Sequence, residues 1–484
     1  MKVLELSKRL PIYHKLREAY RWLHDPSIYE ECFTKSAGPI ISEAKVRLPA
    51  ADIDIWIKHN KVSEFKGPPR GFVHLFYVIE LMKLRRRGIC EPWINAIISH
   101  AMLQGIKLPT RAEIRKFLFG HNSATTLDAA AFYDQFQLSE SVRAFFVFEY
   151  NGKQYALNVL PMGFRPAADI AHLTAQALLD ITQQQYSRAY IDNFIFTGPN
   201  QAQDVQRFLS ACKDVNLILN ELDDYTWHEK LSSVKFDFIG ESYDLSGSGT
   251  KKSTDKTLAK LKLAAQAVHR TDLTAKEVAA IFGIAIYASS TCDVSLAEVF
   301  TPMRYLSHLG LTTVDWSAPA LPIDLNTRKN LAEWLNILIN TTPRPIYSPT
   351  PTSHDVEIQV DASCYGWGAV VITADSVKYH SRKWPSNFDA SQSVTSEPMG
   401  AWLSVCAAVN KSTKKVLLRT DHAGLVFAIK NGHSMVQSYN DFIVNTRNVF
   451  PTCTIVAEHI AGVDNWMADG LSRQKEEREL ERKG

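Results

Sequence analysis

Six acidic side chains fall where rigid secondary structure could hold them against divalent cations. Asp128 follows the apolar Leu127 in TTLDAAAFYDQF, and Asp192 follows Ile191 in AYIDNFIF. Farther along, Asp361 closes the β-prone run EIQVD, and Glu397 stands near a helix start in SEPMGAWLSVCAAV. Asp421 ends VLLRTD, and Asp469 lies in HIAGVDNWMADGLSR. Hard cations take oxygen ligands. Two of them about 3.5–4 Å apart, held by carboxylates at strand ends, can stabilise the attacking and leaving oxygens of an in-line phosphoryl displacement. AYIDNFIF also has a plainer reading, because Asp192-Asn193 between β-formers is an ordinary tight-turn dipeptide that tolerates positive φ.

The surrounding elements decide which reading holds. A strand delivers Asp128, and RAFFVFEYNGKQYALNVL follows with Asn151-Gly152 between two β-rich arms, a strong hairpin signal. Pro166 opens a helix whose apolar positions Ile170, Leu173, Ala177, Leu178 and Ile181 keep helical spacing. The AYIDNFIF hairpin comes next, so the order is strand with acid, hairpin, helix, hairpin with acid. Upstream, FVHLFYVIELMKLRRRGICEPWIN is a β-prone run followed by Arg85-Arg86-Arg87, which reads as a solvated loop or as a phosphate clamp. Residues 1–60 are helical in flavour and carry no motif. Residues 251–340 are helical in texture, TTPRPIYSPTPTSHD with its four prolines reads as a linker, and a βαβ pattern runs from EIQVD to about residue 473.

From Phe72 to Gly240 the chain resembles the fingers and palm of a retroelement reverse transcriptase. LDAAAFYDQF resembles the first palm acid motif, LPMGF the template- and nucleotide-facing turn, YIDN the Tyr-x-Asp-Asp hairpin, and FDFIG the primer-grip turn. RRRGICEPWIN is similar to the fingers strand turn that ends in Asn, here Asn95. Residues 355–473 resemble a ribonuclease H, with the acid order Asp361, Glu397, Asp421, Asp469 and the ending HIAGVDNWMADGLSR. That ending follows the retroelement pattern His-Ile-x-Gly-x-x-Asn-x-x-Ala-Asp-x-Leu-Ser-Arg. The DIRS or VIPER type of tyrosine-recombinase element is the lineage suggested, with gypsy-type long-terminal-repeat elements as the alternative.

The resemblance implies an α/β (α+β) multidomain fold: a right-hand polymerase of fingers, palm and thumb followed by a ribonuclease H-like domain. The expected divisions are a helical extension (1–60), fingers and palm (61–245), a helical thumb and connection (246–340), a linker (341–354), the ribonuclease H-like domain (355–473) and a charged tail (474–484). It implies an RNA-directed DNA polymerase that copies RNA into DNA and degrades the RNA strand of the hybrid. Two magnesium ions, or manganese, would serve each site. Asp128 and Asp192 would ligate metal in the first site, and Asp361, Glu397, Asp421 and Asp469 in the second. His459, ten residues before Asp469, falls where some ribonucleases H carry an assisting histidine, though a strand-end packing role is equally open. In the palm, Tyr133 would be the steric gate that excludes a ribose 2′-hydroxyl. Arg86 aligns best with the triphosphate-binding arginine and Arg87 second. Met162 and Asn193 would adjoin the nucleotide. Partners would be an RNA template, a DNA primer, RNA–DNA hybrid and deoxynucleoside triphosphates.

Two departures favour a second reading, a polymerase-deficient relative that binds nucleic acid or cleaves hybrids only. Asn193 stands where the family usually has a second aspartate, and Glu80 lies near the place of a fingers lysine. A transposase or integrase on the shared ribonuclease H fold is disfavoured by Glu397 standing second among the acids and by the upstream palm motifs.

Composition bounds the rest. With 484 residues, 45% hydrophobic and 22% charged, the chain is long enough for two to four domains and is not of disordered or collagen-like class. The balance of 54 basic against 51 acidic residues, +3, hints only weakly at a polyanionic partner. Seven scattered cysteines never spaced as Cys-x-x-Cys argue against a disulfide framework or zinc ribbon. No signal peptide or membrane span is evident, so a cytoplasmic or nuclear, non-secreted protein without a membrane partner is expected.

Overall fold

Asn151 and Gly152 both take positive φ (50° and 71°), the backbone of a type I′ turn, whose twist suits two antiparallel strands. They connect strands Val147–Tyr150 and Lys153–Leu157. The computed structural model describes residues 2–33, 46–80, 85–220 and 222–473. The chain divides into two compact units, Met1–Thr250 and Lys251–Gly484, and is of the expected α/β multidomain class. The expected tail, 474–484, lies outside the described residues.

In the first unit, β1 (Val73–Glu80) and β2 (Arg85–Pro92) form an antiparallel ribbon, so the three arginines begin a strand rather than filling a loop. Helix α1 (Arg111–Leu118) opens on a capping box: the Thr110 hydroxyl accepts from Glu113 N (3.2 Å) and the Glu113 carboxylate accepts from Thr110 N (2.7 Å). After β3 (Ala124–Asp128) come α2 (Ala167–Ile181), β4 (Ser187–Tyr190), β5 (Asn193–Phe196) and α3 (Gln201–Val215). An antiparallel sheet runs in the order β4-β5-β3, with Ser232–Ser233 on the far side of β3.

Eleven of the fifteen residues of α2 are buried, so this helix is central rather than one-sided. From β5, Phe194 and Phe196 meet Phe208 of α3, with ring centroids 4.6 and 5.0 Å apart, and all three are fully buried. Each such ring contributes about 1.5–3 kcal/mol by leaving water. That packing holds β5 firmly, and with it the acid at its head. The helical flavour of the first residues is realised in Tyr13–His24 and Pro26–Phe33, which send Trp22 and Tyr29 into the same core against Phe164.

In the second unit, helices Asp255–Ala267, Ala275–Cys292, Phe300–Thr312 and Leu325–Asn340 enclose Phe282, Leu331 and Trp334. Beyond them stands a five-stranded sheet of order β8-β7-β6-β9-β10, made of β6 (Val356–Ala362), β7 (Gly366–Thr373), β8 (Val377–Lys383), β9 (Lys415–Thr420) and β10 (Thr454–His459). The first three are antiparallel, whereas β6, β9 and β10 run parallel. Parallel strands are covered on both faces, which is why Ile358, Val360, Val416 and Leu418 are fully buried. Helix α4 (Ser393–Ala408) packs on β6, and α5 (Trp466–Ser472) on β6 and β7. Gly368 makes that last contact possible: a Cβ there would lie 2.5 Å from the Ala468 carbonyl oxygen. Among the described residues no helix is long and apolar enough to cross a membrane.

Candidate active sites

Antiparallel pairing of β3 with β5 sets Asp128 opposite Asn193, and the backbone N–H of Ala129 donates to the Asp192 carbonyl (2.8 Å). The two acids, 64 positions apart in sequence, therefore meet at one end of the sheet's two inner strands. They line a cleft of about 490 Å³ together with Arg86, Arg87, Tyr133, Met162, Lys61 and Asn220. Burial, with the charge of Asp128, raises the Asp192 pKa against the opposing pull of Arg87 and the Asn193 amide. A half-buried carboxyl facing a second carboxylate is short of positive charge, and the oxygen donors fit a hard divalent ion.

The turn itself differs from the plain reading of the sequence. Positive φ falls on Ile191 (58°), not on Asp192 or Asn193, the pattern of a type II′ turn. A β-branched residue there is strained, and such strain persists only where neighbours over-determine it. Each acid also receives one amide: Asn193 Nδ2 donates to Asp192 Oδ1 (2.8 Å), and Asn220 Nδ2 donates to Asp128 Oδ2 (2.7 Å). The Asn220 backbone N–H meets the Asp128 carbonyl as well (2.8 Å). Asn220 was not foreseen, since an Asn after a short apolar run looks like any turn residue.

Both arginines are held by acids. Arg86 is forked on Asp52 (3.1 and 3.3 Å), and Arg87 pairs with Glu80 (2.8 Å). Of the two, Arg87 has its charge felt at Asp192 and Tyr133. Glu80, near the place where the resemblance implies a lysine, thus pairs with a cation instead of supplying one. Lys61 adds another cation to the cleft and bonds Asp134 (2.8 Å). Tyr133 is partly buried, and burial followed by the Asp192 charge raises its pKa. Met162 reaches the cleft from the LPMGF turn, where Gly163 (φ 110°) presses on the Cys90 carbonyl: a Cβ would stand 2.6 Å from that oxygen. The FDFIG segment forms the turn between Lys235–Phe238 and Glu241–Asp244. Its next residue, Glu241, is fully buried on Arg115, with Tyr243 Oη donating to it at 2.7 Å.

The second unit gathers its acids from three elements. Asp361 of β6, Glu397 of α4 and Asp421, just past β9, bring carboxylate oxygens within 4.8 Å of one another. Burial, then the charges of Asp361 and Asp421, pushes Glu397 up to about 8. Burial likewise pushes Asp361 up to about 6, aided by Asp421 and Asp469 and opposed by a hydrogen bond from Ser472 (2.7 Å). Glu397 Oε2 is buried without a hydrogen-bond partner. Three crowded carboxylates with an orphaned oxygen are the donor set a divalent cation fits.

Asp469 stands outside that close triad, accepting from Arg473 Nε (2.7 Å), yet near enough for its charge to act on Asp361. His459, the last residue of β10, donates Nε2–H to the Asp421 backbone carbonyl (3.2 Å) rather than to a carboxylate. Ser472 and Arg473 were legible only as parts of a pattern, with no role attached.

No protein-family model matches the sequence, and no curated protein matches it. Solved structures do resemble it. A foamy viral protease–reverse transcriptase, dRH, in complex with double-stranded DNA superposes with a TM-score of 0.50 at 12% identity, covering 88% of this chain and 72% of that one. The foamy viral protease–reverse transcriptase with double-stranded DNA gives 0.47 at 12% identity over 88% and 87%, and with RNA/DNA hybrid 0.48 at 12% over 88% and 56%. At this identity the likeness is one of fold: the chain has a reverse-transcriptase-type fold.

Proposed function

We propose that this protein is an RNA-directed DNA polymerase with an attached ribonuclease H, each half working through a pair of divalent ions. The observation that carries the reading is the meeting of Asp128 and Asp192 at one end of the sheet, in a cleft that also holds Tyr133 and Arg87. Asp128 and Asp192 would hold the ions of the first site, and Asp361, Glu397 and Asp421, with Asp469 beside them, those of the second. Bound there, the ions would offset charge on the reacting phosphoryl group and lower the pKa of the attacking hydroxyl or water. Tyr133 closes the space where a ribose 2′-hydroxyl would sit, Arg87 supplies positive potential toward the triphosphate, and the Asn193 and Asn220 amides orient the two carboxylates. Contacts to template, primer and hybrid would be mainly to phosphates. The likeness to a protein solved on double-stranded DNA supports a duplex partner. The HIAGVDNWMADGLSR ending supports a retroelement origin.

Primer extension on an RNA template in magnesium and in manganese, wild type against Asp128→Ala, tests the first half. Hybrid cleavage by wild type against Asp361→Asn tests the second. A hybrid-cleaving protein without synthesis is the second reading, favoured by Asn193 and by the arginines being tied to Asp52 and Glu80. Cleavage that depends on Asp361, with no extension in either metal, would select it.

A further inference from the structure

Ile191 keeps its strained φ of 58° in the loop that presents Asp192. Its backbone N–H meets a side chain from the central helix: Nδ1 of His172 accepts from Ile191 N at 3.3 Å. His172 is 4% exposed, and its ring also bonds the backbone of Lys107. Burial lowers the affinity of the ring for a proton, against the opposing pull of the Lys107 bond, and the neutral ring can present Nδ1 as the acceptor that the Ile191 N–H meets. One helical turn earlier, the Asp169 carboxylate accepts from Gln104 N (2.7 Å), so α2 grips the same 104–107 segment at two points. Segment, imidazole and hairpin form one hydrogen-bonded chain, all within the first unit.

We propose that His172 is the positioning residue of the Asp192 hairpin. By accepting from Ile191 N–H it over-determines a turn that a β-branched residue would otherwise leave, and so fixes where the Asp192 carboxylate stands relative to Asp128. The inference rests on the polymerase reading for its effect on catalysis, and on the hairpin alone for its effect on order. A histidine serving only to fill the core would be replaceable by an apolar side chain of similar size. A positioning histidine needs an acceptor at Nδ1, which the Oδ1 of an asparagine reproduces.

The test uses the full chain as wild type, His172→Leu and His172→Asn. Hydrogen exchange is followed on the peptide spanning 187–196, with 201–215 as the control for folding, and primer extension is read as kcat and as KM for the deoxynucleotide. For His172→Leu the expected result is faster exchange in 187–196 alone and a kcat reduced about tenfold to a hundredfold, with KM within about twofold, as displacement of a reacting group costs. His172→Asn should recover protection, and kcat to within about threefold. His172→Leu with unchanged protection would overturn the proposal, as would His172→Asn behaving like His172→Leu while 201–215 stays protected. Should the wild type extend no primer, the polymerase reading fails, and the exchange data still decide whether His172 holds the hairpin.

Discussion

Glu397→Gln should make the metal-free second unit more stable while removing its proposed nuclease activity. In the folded chain Glu397 is raised from 4.5 to about 8, by burial first and then by Asp361 and Asp421. The folded state therefore holds this proton more tightly than the unfolded one. Stability is fully present below the unfolded pKa and is lost as pH rises toward the folded pKa. At about 1.36 kcal/mol per pH unit, the loss between pH 5 and pH 8 comes to 3–4 kcal/mol. Glutamine has nothing to ionise, and its amide can donate to the carboxylates crowded around it. In EDTA the variant should exceed wild type by about 4 kcal/mol at pH 8 and by about 1 kcal/mol or less at pH 5. Asp361, raised to about 6, leaves a smaller slope in both proteins. Urea titrations read by hydrogen exchange on β6 and β9 peptides isolate this sheet from the rest of the chain, and magnesium should narrow the gap at pH 8. Equal pH slopes in the two proteins would refute the reasoning, as would a metal-free wild type that gains stability between pH 5 and pH 8.

Asn220→Ala removes the 2.7 Å bond to Asp128 Oδ2 and should raise the half-saturating magnesium concentration for extension about tenfold, read from a metal titration. Tyr133→Val would open the cleft where the nucleotide sugar is proposed to sit; discrimination of deoxy- over ribonucleotides should then fall about a hundredfold in single-nucleotide incorporation, and unchanged discrimination would remove Tyr133 from the proposed gate. Glu241→Ala leaves Arg115 buried without its carboxylate and should cost the first unit about 3–5 kcal/mol in urea denaturation, whereas a loss under about 1 kcal/mol would mean that water replaces the pair.

The sequence disclosed what depends on local order. Strand-end acids, the Asn151-Gly152 turn and the helix after Pro166 each leave a mark within a few residues, and all are found in the fold. Bonds made across long stretches of chain leave none. Asn220 reaches Asp128 across 92 positions and His172 reaches Ile191 across 19, and in isolation either residue is an ordinary turn or core side chain. Asp52 was likewise invisible as the partner of Arg86, 34 positions away. The strained turn position was misplaced for a different reason. Local preference puts positive φ on Asn or Asp, whereas strand register and the His172 acceptor put it on Ile191. In the second unit the acid order was readable, but not that Asp469 stands beside the triad, because that offset depends on how α5 docks on β6 and β7, a packing made across long stretches of chain.

The docking of α5 against β6 and β7 has a consequence in time. Asp361 and Asp469 lie 108 positions apart, counted from 361 to 469. Parallel pairing and a late helix make this a unit of long-range contacts, and such contacts form slowly because distant chain must be closed before they reward it. During synthesis at about 5–20 residues per second, the stretch between these two acids takes on the order of 5–20 s to emerge. Over that interval β7 to β10 and the helix carrying Glu397 emerge in turn, and Asp469 is the last of the four acids to arrive. Asp469 and the Ser472 hydroxyl therefore reach Asp361 last, when α5 closes onto a sheet that already carries the other three acids.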